Sequence, residues 1–354
     1  MLEHQPDYDQ VKARHEAWWH GEVIDRALVW ITAPNGREGP PFPRKTHASH
    51  RERWFDTEYQ LDCAEAWMSR TAYVGDSLPV WWPNLGPEVY TAFLGCPLEY
   101  TDTTSWAVPI LDSWDKLDTV RFDPDNDYYL QTRRMTDAAI ERGKGKFIVG
   151  YTDLHPGADG ACAFRDPQRL CTDLLDYPDE VRELLRRVEE PFAMVFDTLA
   201  RRLEETGNPV CSWLPCVSEG RVHIPSNDFW CMVSSRMARE FFLDITVQEC
   251  RMADRSVFHL DGRTAIKHLD LLLEIPELHA IQPTIGAGDV FDDEWMGVIR
   301  RARAAGKSIH LAANWDMVSA IMAEFGPEGF LFTMGAASVD EAEAAVRRIE
   351  RWDG

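Results

Sequence analysis

From residue 257 onward the chain alternates between two hydrophobic rhythms. Short apolar runs of strand length cover Val257 to Leu260, His279 to Gln282, Ser308 to Ala313 and Phe330 to Met334. After each comes a stretch with apolar residues at helical spacing: Ala265 to Glu274, Asp292 to Ala305, Asp316 to Phe325 and Val339 to Trp352. Gly306 and Gly326 directly follow two of these helices, where a left-handed C-cap residue belongs. The strand starts recur at 257, 279, 308 and 330, the spacing of serial β-α units in a parallel sheet.

Upstream the rhythm is looser. Lys146 to Tyr151 and Val210 to Leu214 read as strands. Pro178 to Thr206 carries helical periodicity through Val181, Leu184 and Val188, then Phe192, Val195, Leu199 and Leu203. Phe229 to Val233 reads as an extended segment before a helix over Arg236 to Ala253. Nearer the N-terminus, a helix is expected over Tyr8 to Trp19, a strand over Ala27 to Thr32, and helices around Glu52 to Thr71. Leu78 to Trp82 is the expected first barrel strand, and Gly95 to Asp125 reads as irregular and hairpin-like.

A doubly wound dinucleotide fold would place G-x-G-x-x-G after its first strand, and this chain has neither that motif nor a P-loop. The expectation is therefore an α/β protein, a (β/α)8 TIM barrel over residues 76–354 forming one catalytic domain. Residues 1–75 are expected as a helical and irregular N-terminal extension packed on it.

Composition narrows the partners. A formal net charge of -22 argues against nucleic acid and anionic membrane surfaces, which need a Lys/Arg excess. No run approaches the ~18 apolar residues of a membrane helix. The first ten residues show no secretory signal. The eight cysteines are scattered, as free thiols in a reducing cytoplasm would be. Fourteen tryptophans, several in pairs or near Pro (Trp18-Trp19, Trp81-Trp82-Pro83), suggest an aromatic-lined substrate cavity, with Trp213 a further candidate for its wall.

Candidate chemistry sits at strand ends. His259 and Asp261, two apart on one strand, share a face and form a candidate pair for a metal or for acid–base work. Asp153 and His155 follow the strand from Lys146 as a D-x-H pair, and Asp159 lies just beyond, where it would equally serve as a helix cap. Asp228 is a third candidate carboxylate or an Asx turn. Gln282, His310 and Asn314 end later strands and are candidate substrate-binding groups with Trp81, Trp82 and Trp213. Asp289 flanks the Gly286–Gly288 loop, which has the composition of an anion-binding turn. Cys211 and Cys216 lack the second pair that a structural zinc site needs and read as buried thiols. His4, His15, His20, His47 and His50 have no partner pattern and read as surface or capping groups.

Several of these segments together resemble the uroporphyrinogen decarboxylase superfamily. They are T-D-L-H-P-G-A-D from Thr152, S-N-D-F-W from Ser226, M-A-R-E-F-F-L from Met237, H-L-D-G from His259, H-L-D-L-L-L from His268, I-Q-P-T-I-G-A-G-D from Ile281 and A-G-K from Ala305. The resemblance runs from about Phe147 to the C-terminus and is nearest to branches related to corrinoid-dependent methyltransferases. It implies a (β/α)8 barrel. The decarboxylases' R-Q-A-G-R-Y signature is absent; Arg37, Arg44, Lys45, Arg51 and Arg53 do not reproduce it. The methyltransferases' His-x-Cys is represented by His259-x-Asp261, and their distant Cys has no counterpart between Phe330 and Gly335.

The expected function is that of a methyltransferase or demethylase moving a methyl group between a small molecule and a corrinoid on a separate protein. His259 and Asp261 would hold a divalent metal, zinc foremost, and Asp153, His155 and Asp228 would assist. The alternatives are a metal-independent decarboxylase or lyase of a small carboxylate, and a non-catalytic ligand-binding barrel. A homodimer is a candidate assembly.

Overall fold

The protein was analysed as a computed structural model, which describes residues 2–3, 5–286 and 288–352. His4, and Ala287 in the glycine loop, lie outside the described residues. The strands are β1 (Leu28–Pro34), β2 (Thr71–Gly75), β3 (Val80–Trp81), β4 (Leu98–Tyr100), β5 (Ser105–Ala107), β6 (Ile148–Val149), β7 (Val222–His223), β8 (Arg255–Asp261), β9 (Ala280–Thr284), β10 (Ser308–Ala312) and β11 (Phe330–Gly335). Seven form one sheet in the order β2-β1-β11-β10-β9-β8-β7. All its pairings are parallel except β1 with β2. Parallel neighbours need crossovers, supplied by helices such as Asp293–Ala304 and Trp315–Phe325. The fold is α/β, as the β-α rhythm predicts.

Backbone hydrogen bonds run on past β7. Val222 N donates to Val210 O, Tyr151 N to Cys211 O, and Gly150 N to Trp81 O, so residues 210–211 bridge β7 to the β3–β6 pair. At the other edge, Asp76 N donates to Val29 O and Ser77 Oγ to Ile31 O. This ties the chain entering β3 to β1.

Both sheet faces are buried, and strand alternation sorts the residues between them. Val29, Ile31, Phe258, Leu260, Ile281, Ile309 and Phe332 belong to the larger core, which the helices cover. Leu28, Trp30, Val257, Ala280 and Leu331 form a second cluster on the opposite face with Trp18 and Trp19. The indole N–H groups of Trp18 and Trp19 reach Ile309 O and Val217 O, fixing the helix Tyr8–Trp19 against this face. Toward the C-terminal strand ends the same face turns polar, through His259, Gln282, His310 and Thr333. The register that pairs His259 with Gln282 and His310 with Leu331 places them there.

Four expectations need correction. Val210 to Leu214 is irregular chain rather than a strand. Residues 1–75 are not merely a packed extension: β1 and β2 are strands of the central sheet, and β1 pairs directly with β11. Phe229 to Val233 is not extended; Asp228–Met232 is a 3-10 turn because the Asp159 carboxylate accepts the N–H groups of Asp228 and Phe229. The helix expected over Arg236 to Ala253 divides at Phe242 (φ -124) into Ser235–Phe241 and Leu243–Met252. The Phe242 ring packs edge-on against Phe229 at 5.9 Å.

Asp76 anchors the entry to β3. Its carboxylate is fully buried and accepts from Arg14 at 3.1 Å, from Arg26, and from Val29 N at 3.0 Å. Removing one member of such a network leaves the others charged and unsolvated. Asp76→Ala is expected to cost about 3–5 kcal/mol in urea unfolding. A cost below about 1 kcal/mol would show that the network relaxes into water.

Candidate functional site

A cavity of about 700 Å³ opens among the loops that follow β3, β6, β7 and β8. Its apolar wall includes Trp82, Trp106, Trp213, Phe229 and Met232, and its polar groups include Glu88, Asp153, His155, Asp159, Asp228 and His259. Among the described residues, no Lys or Arg lines it. Trp106 and Met232 are 44% and 48% exposed, so the cavity has an apolar rim.

Asp228, His259 and Asp261 each bring one ligand atom to within 4.8 Å of the others. The alternation of β8 aims His259 and Asp261 to one side, and the 3-10 turn delivers Asp228 from β7's loop. His259 Nδ1 lies 2.7 Å from Gln282 Oε1. That oxygen only accepts, so Nδ1 carries the hydrogen and Nε2 keeps a free lone pair, as a metal-ligating imidazole requires. Trp213 closes edge-on against the ring at 5.3 Å. Two carboxylates and one imidazole suit a hard or borderline divalent ion such as Mn²⁺, Fe²⁺ or Zn²⁺. No thiolate joins them: Cys162 lines the cavity, but burial and neighbouring carboxylates push it up to about 12.

Facing the same cavity, His155 Nε2 lies 2.8 Å from Asp153 Oδ1. Burial opposes the charged imidazole, but the Asp153 charge and hydrogen bond, with Asp159 and Asp228 beyond, outweigh it and lift His155 to about 9. Asp159 is raised to about 6, by burial first and then by the Asp228 charge. Burial likewise raises Glu88, whose Oε2 has no hydrogen-bond partner. The site thus holds a cationic acid together with two carboxyls, Asp159 and Glu88, that retain protons more readily than usual.

Behind the cavity is a second buried set. His223 Nε2 lies 3.2 Å from Glu249 Oε2, and Tyr151 Oη lies 3.1 Å from His223 Nδ1. Burial drives His223 down to about 3 and Glu249 up to about 8; nearby His155 lowers Glu249 and Asp159 raises it. Burial and then the Glu249 charge put Glu189 at about 8. A carboxyl with a folded value near 8 keeps a proton that the unfolded chain releases near 4.5. Glu249 therefore makes stability fall as pH rises from about 4.5 to about 8. Glu249→Gln is expected to flatten that slope and to be at least as stable as the parent at pH 8. Parallel slopes for the two proteins in urea unfolding at pH 5, 6.5 and 8 would contradict this.

The sequence-level candidates divide cleanly. The structure brings Asp153, His155, Asp228, His259, Trp82 and Trp213 to the cavity, and Asp261 joins the ligand triad. Trp81 does not line it: as Trp82's neighbour it points the other way and packs on the larger core. Gln282 does not line it either and acts through His259. His310 is buried on the polar face, bonded to Thr333 Oγ1 at 2.8 Å. Burial, with His259 and His15 nearby, holds it down to about 3. Asn314 caps the helix Trp315–Phe325 through Met317 N. Asp289 is paired with Arg263 at 2.7 Å. His15 is not a surface group; it is fully buried, with Nδ1 2.9 Å from Val11 O. Cys211 and Cys216 are buried free thiols. Glu88, Trp106, Ser226 and Met232 were not anticipated, and Asp159 caps the 228 turn rather than its own helix. No helix among the described residues is long and apolar enough to cross a membrane.

No protein-family model and no curated protein matches the chain.

Proposed function

We propose that the protein is a metal-assisted methyltransferase or demethylase of the uroporphyrinogen decarboxylase type, taking a methyl group from a small molecule to a corrinoid on a separate protein. One observation carries this reading: Asp228 and His259, which with Asp261 could hold a divalent ion, line the same cavity as the His155–Asp153 pair. The segments quoted from Thr152, Ser226, His259 and Ile281 support the family likeness. The hydrogen bonds that carry the sheet from β7 through residues 210–211 to β6 and β3, and from β1 to residues 76–77, support a closed (β/α)8 barrel. The cavity then lies at the C-terminal mouth, where such barrels keep their sites. The eight free thiols suit a cytoplasmic setting.

A divalent ion held by Asp228, His259 and Asp261 would act as a Lewis acid toward a donor atom of the substrate. The protein's own residues do the rest. The aromatic wall excludes water and holds the apolar body of the substrate. The proton between His155 Nε2 and Asp153 Oδ1 sits ready for the heteroatom that loses its methyl. When the carbon–heteroatom bond breaks, its electron pair stays on the heteroatom, which the proton satisfies. A corrinoid on the partner would supply the nucleophilic cobalt(I) pair that accepts the methyl carbon. The apolar rim of Trp106 and Met232 leaves the cavity accessible to a reagent carried by another protein.

A decarboxylase of a small carboxylate is disfavoured by the absence of any Lys or Arg on the cavity wall among the described residues. Incubating the protein with cobalt(I) cobalamin and a panel of N-, O- and S-methyl compounds is expected to form methylcobalamin, visible in its absorption spectrum. Release of CO₂ from a panel of carboxylic acids without methyl transfer would replace this reading with the lyase.

A further inference from the structure

The cavity wall is chemically one-sided. Glu88, Asp153, Asp159 and Asp228 supply its charged groups of negative sign, and His155 alone is held as a cation. His155 is already matched by Asp153 at 2.8 Å. With the Asp228 and Asp261 charges offset by a divalent ion, Asp159 and Glu88 remain without a cationic partner. Asp159 accepts two backbone N–H groups but touches no Lys or Arg, and Glu88 Oε2 has no hydrogen-bond partner at all. The indoles of Trp82, Trp106 and Trp213 line the same cavity, and indole faces attract cations.

We propose that this cavity selects a small organic cation, a protonated amine on a compact apolar body, and rejects carboxylates. The proposal rests on the methyl-transfer reading and names its substrate class: an N-methyl amine bound as its ammonium. The ammonium sits between Asp159 and Glu88 while its methyl groups and apolar body lie against the indoles. In the step itself the N–CH3 bond breaks and its pair stays on nitrogen. The nitrogen keeps its proton, brought by the ammonium or taken from His155 by a free amine. The corrinoid's cobalt(I) would accept the methyl. From a tertiary ammonium the immediate product is a neutral secondary amine, with the pair of the broken bond on its nitrogen.

The test is calorimetric and needs no turnover. Three probes of matched shape are titrated into the protein at pH 7: N,N-dimethylbenzylamine as the cation, benzyl methyl ether as the neutral counterpart and phenylacetate as the anion. The amine is expected to bind about tenfold more tightly than the ether, with no measurable heat from phenylacetate. Asp159→Asn is expected to remove most of that preference and leave the ether's affinity unchanged. Asp159 also caps the 228 turn, so Glu88→Gln, at a side chain whose Oε2 has no hydrogen-bond partner, serves as the second variant with the same expectation. Phenylacetate binding as tightly as the amine, equal affinity for amine and ether, or an amine preference untouched in both variants would each overturn the proposal. If the amine is preferred but no methyl reaches cobalamin, the substrate class stands and the methyl-transfer reading falls.

Discussion

Replacing His259 by alanine is expected to strip the protein of its divalent ion and to lower turnover at least about a hundredfold. The argument begins with the donor set. Asp228 and Asp261 are exposed carboxylates that would bind a divalent ion weakly by themselves, as acidic pairs on any surface do. The imidazole makes the site specific, because its orientation is already fixed. Gln282 Oε1 takes the Nδ1 hydrogen at 2.7 Å, and Trp213 packs against the ring edge-on. Nε2 therefore points its lone pair without further loss of rotamer freedom. Removing the ring removes a ligand, whereas removing Gln282 removes only the fixing. Gln282→Leu should thus weaken metal affinity by about 10- to 100-fold and leave turnover recoverable at high metal concentration. Elemental analysis of the parent and both variants decides this. Equal metal content in the parent and His259→Ala, or a metal-free parent indifferent to chelators, would refute the metal centre.

The features legible in the sequence and those that were not differ in the range of the forces behind them. The helix Tyr8–Trp19 and the β-α series after Val257 are readable because local periodicity and capping dictate them. His259 and Asp261 are readable as a pair because strand alternation alone puts them on one face. β3 and β6, two residues each, fall inside the strands expected over Leu78 to Trp82 and Lys146 to Tyr151, but their pairing with each other is a tertiary fact that no local pattern carries. Gln282 looked like a substrate ligand because it ends a strand. Its actual role follows from the register that sets it opposite His259, and register is a tertiary fact. Glu88 and Trp106 lie where the chain has little periodicity, and the cavity gathers them from far along it. Asp159 was visible as a capping residue, but the turn it caps begins 69 residues later. No reading of neighbours in the chain reaches that far.

The second large effect belongs to His155. His155→Asn is expected to lower kcat by about 10²- to 10⁴-fold, the range for losing a positioned general acid, while metal content stays at the parent level. The pH profile makes the assignment sharper than the loss alone. Burial by itself would make this imidazole neutral at pH 7. Asp153 at 2.8 Å, with Asp159 and Asp228 behind it, reverses that and carries it to about 9. His155 is therefore charged through neutrality, and turnover should decline as pH rises through about 9. On the acid side, protonation of Asp159 near 6 removes part of the field that holds His155 and loosens its grip on the 228 turn. The parent should then show a plateau between about 6 and 9. Asp153→Asn keeps the imidazole but takes away the largest favourable influence on its charge. Its alkaline limb should move toward neutral pH, with only a modest loss at pH 6. A structural role for Asp153 would lower the whole profile without moving it, so an alkaline limb still near 9 in Asp153→Asn would remove His155 as the acid. His259→Ala, in turn, should lose metal and move that limb upward, because the Asp228 charge that favours the His155 cation is then no longer offset by the ion.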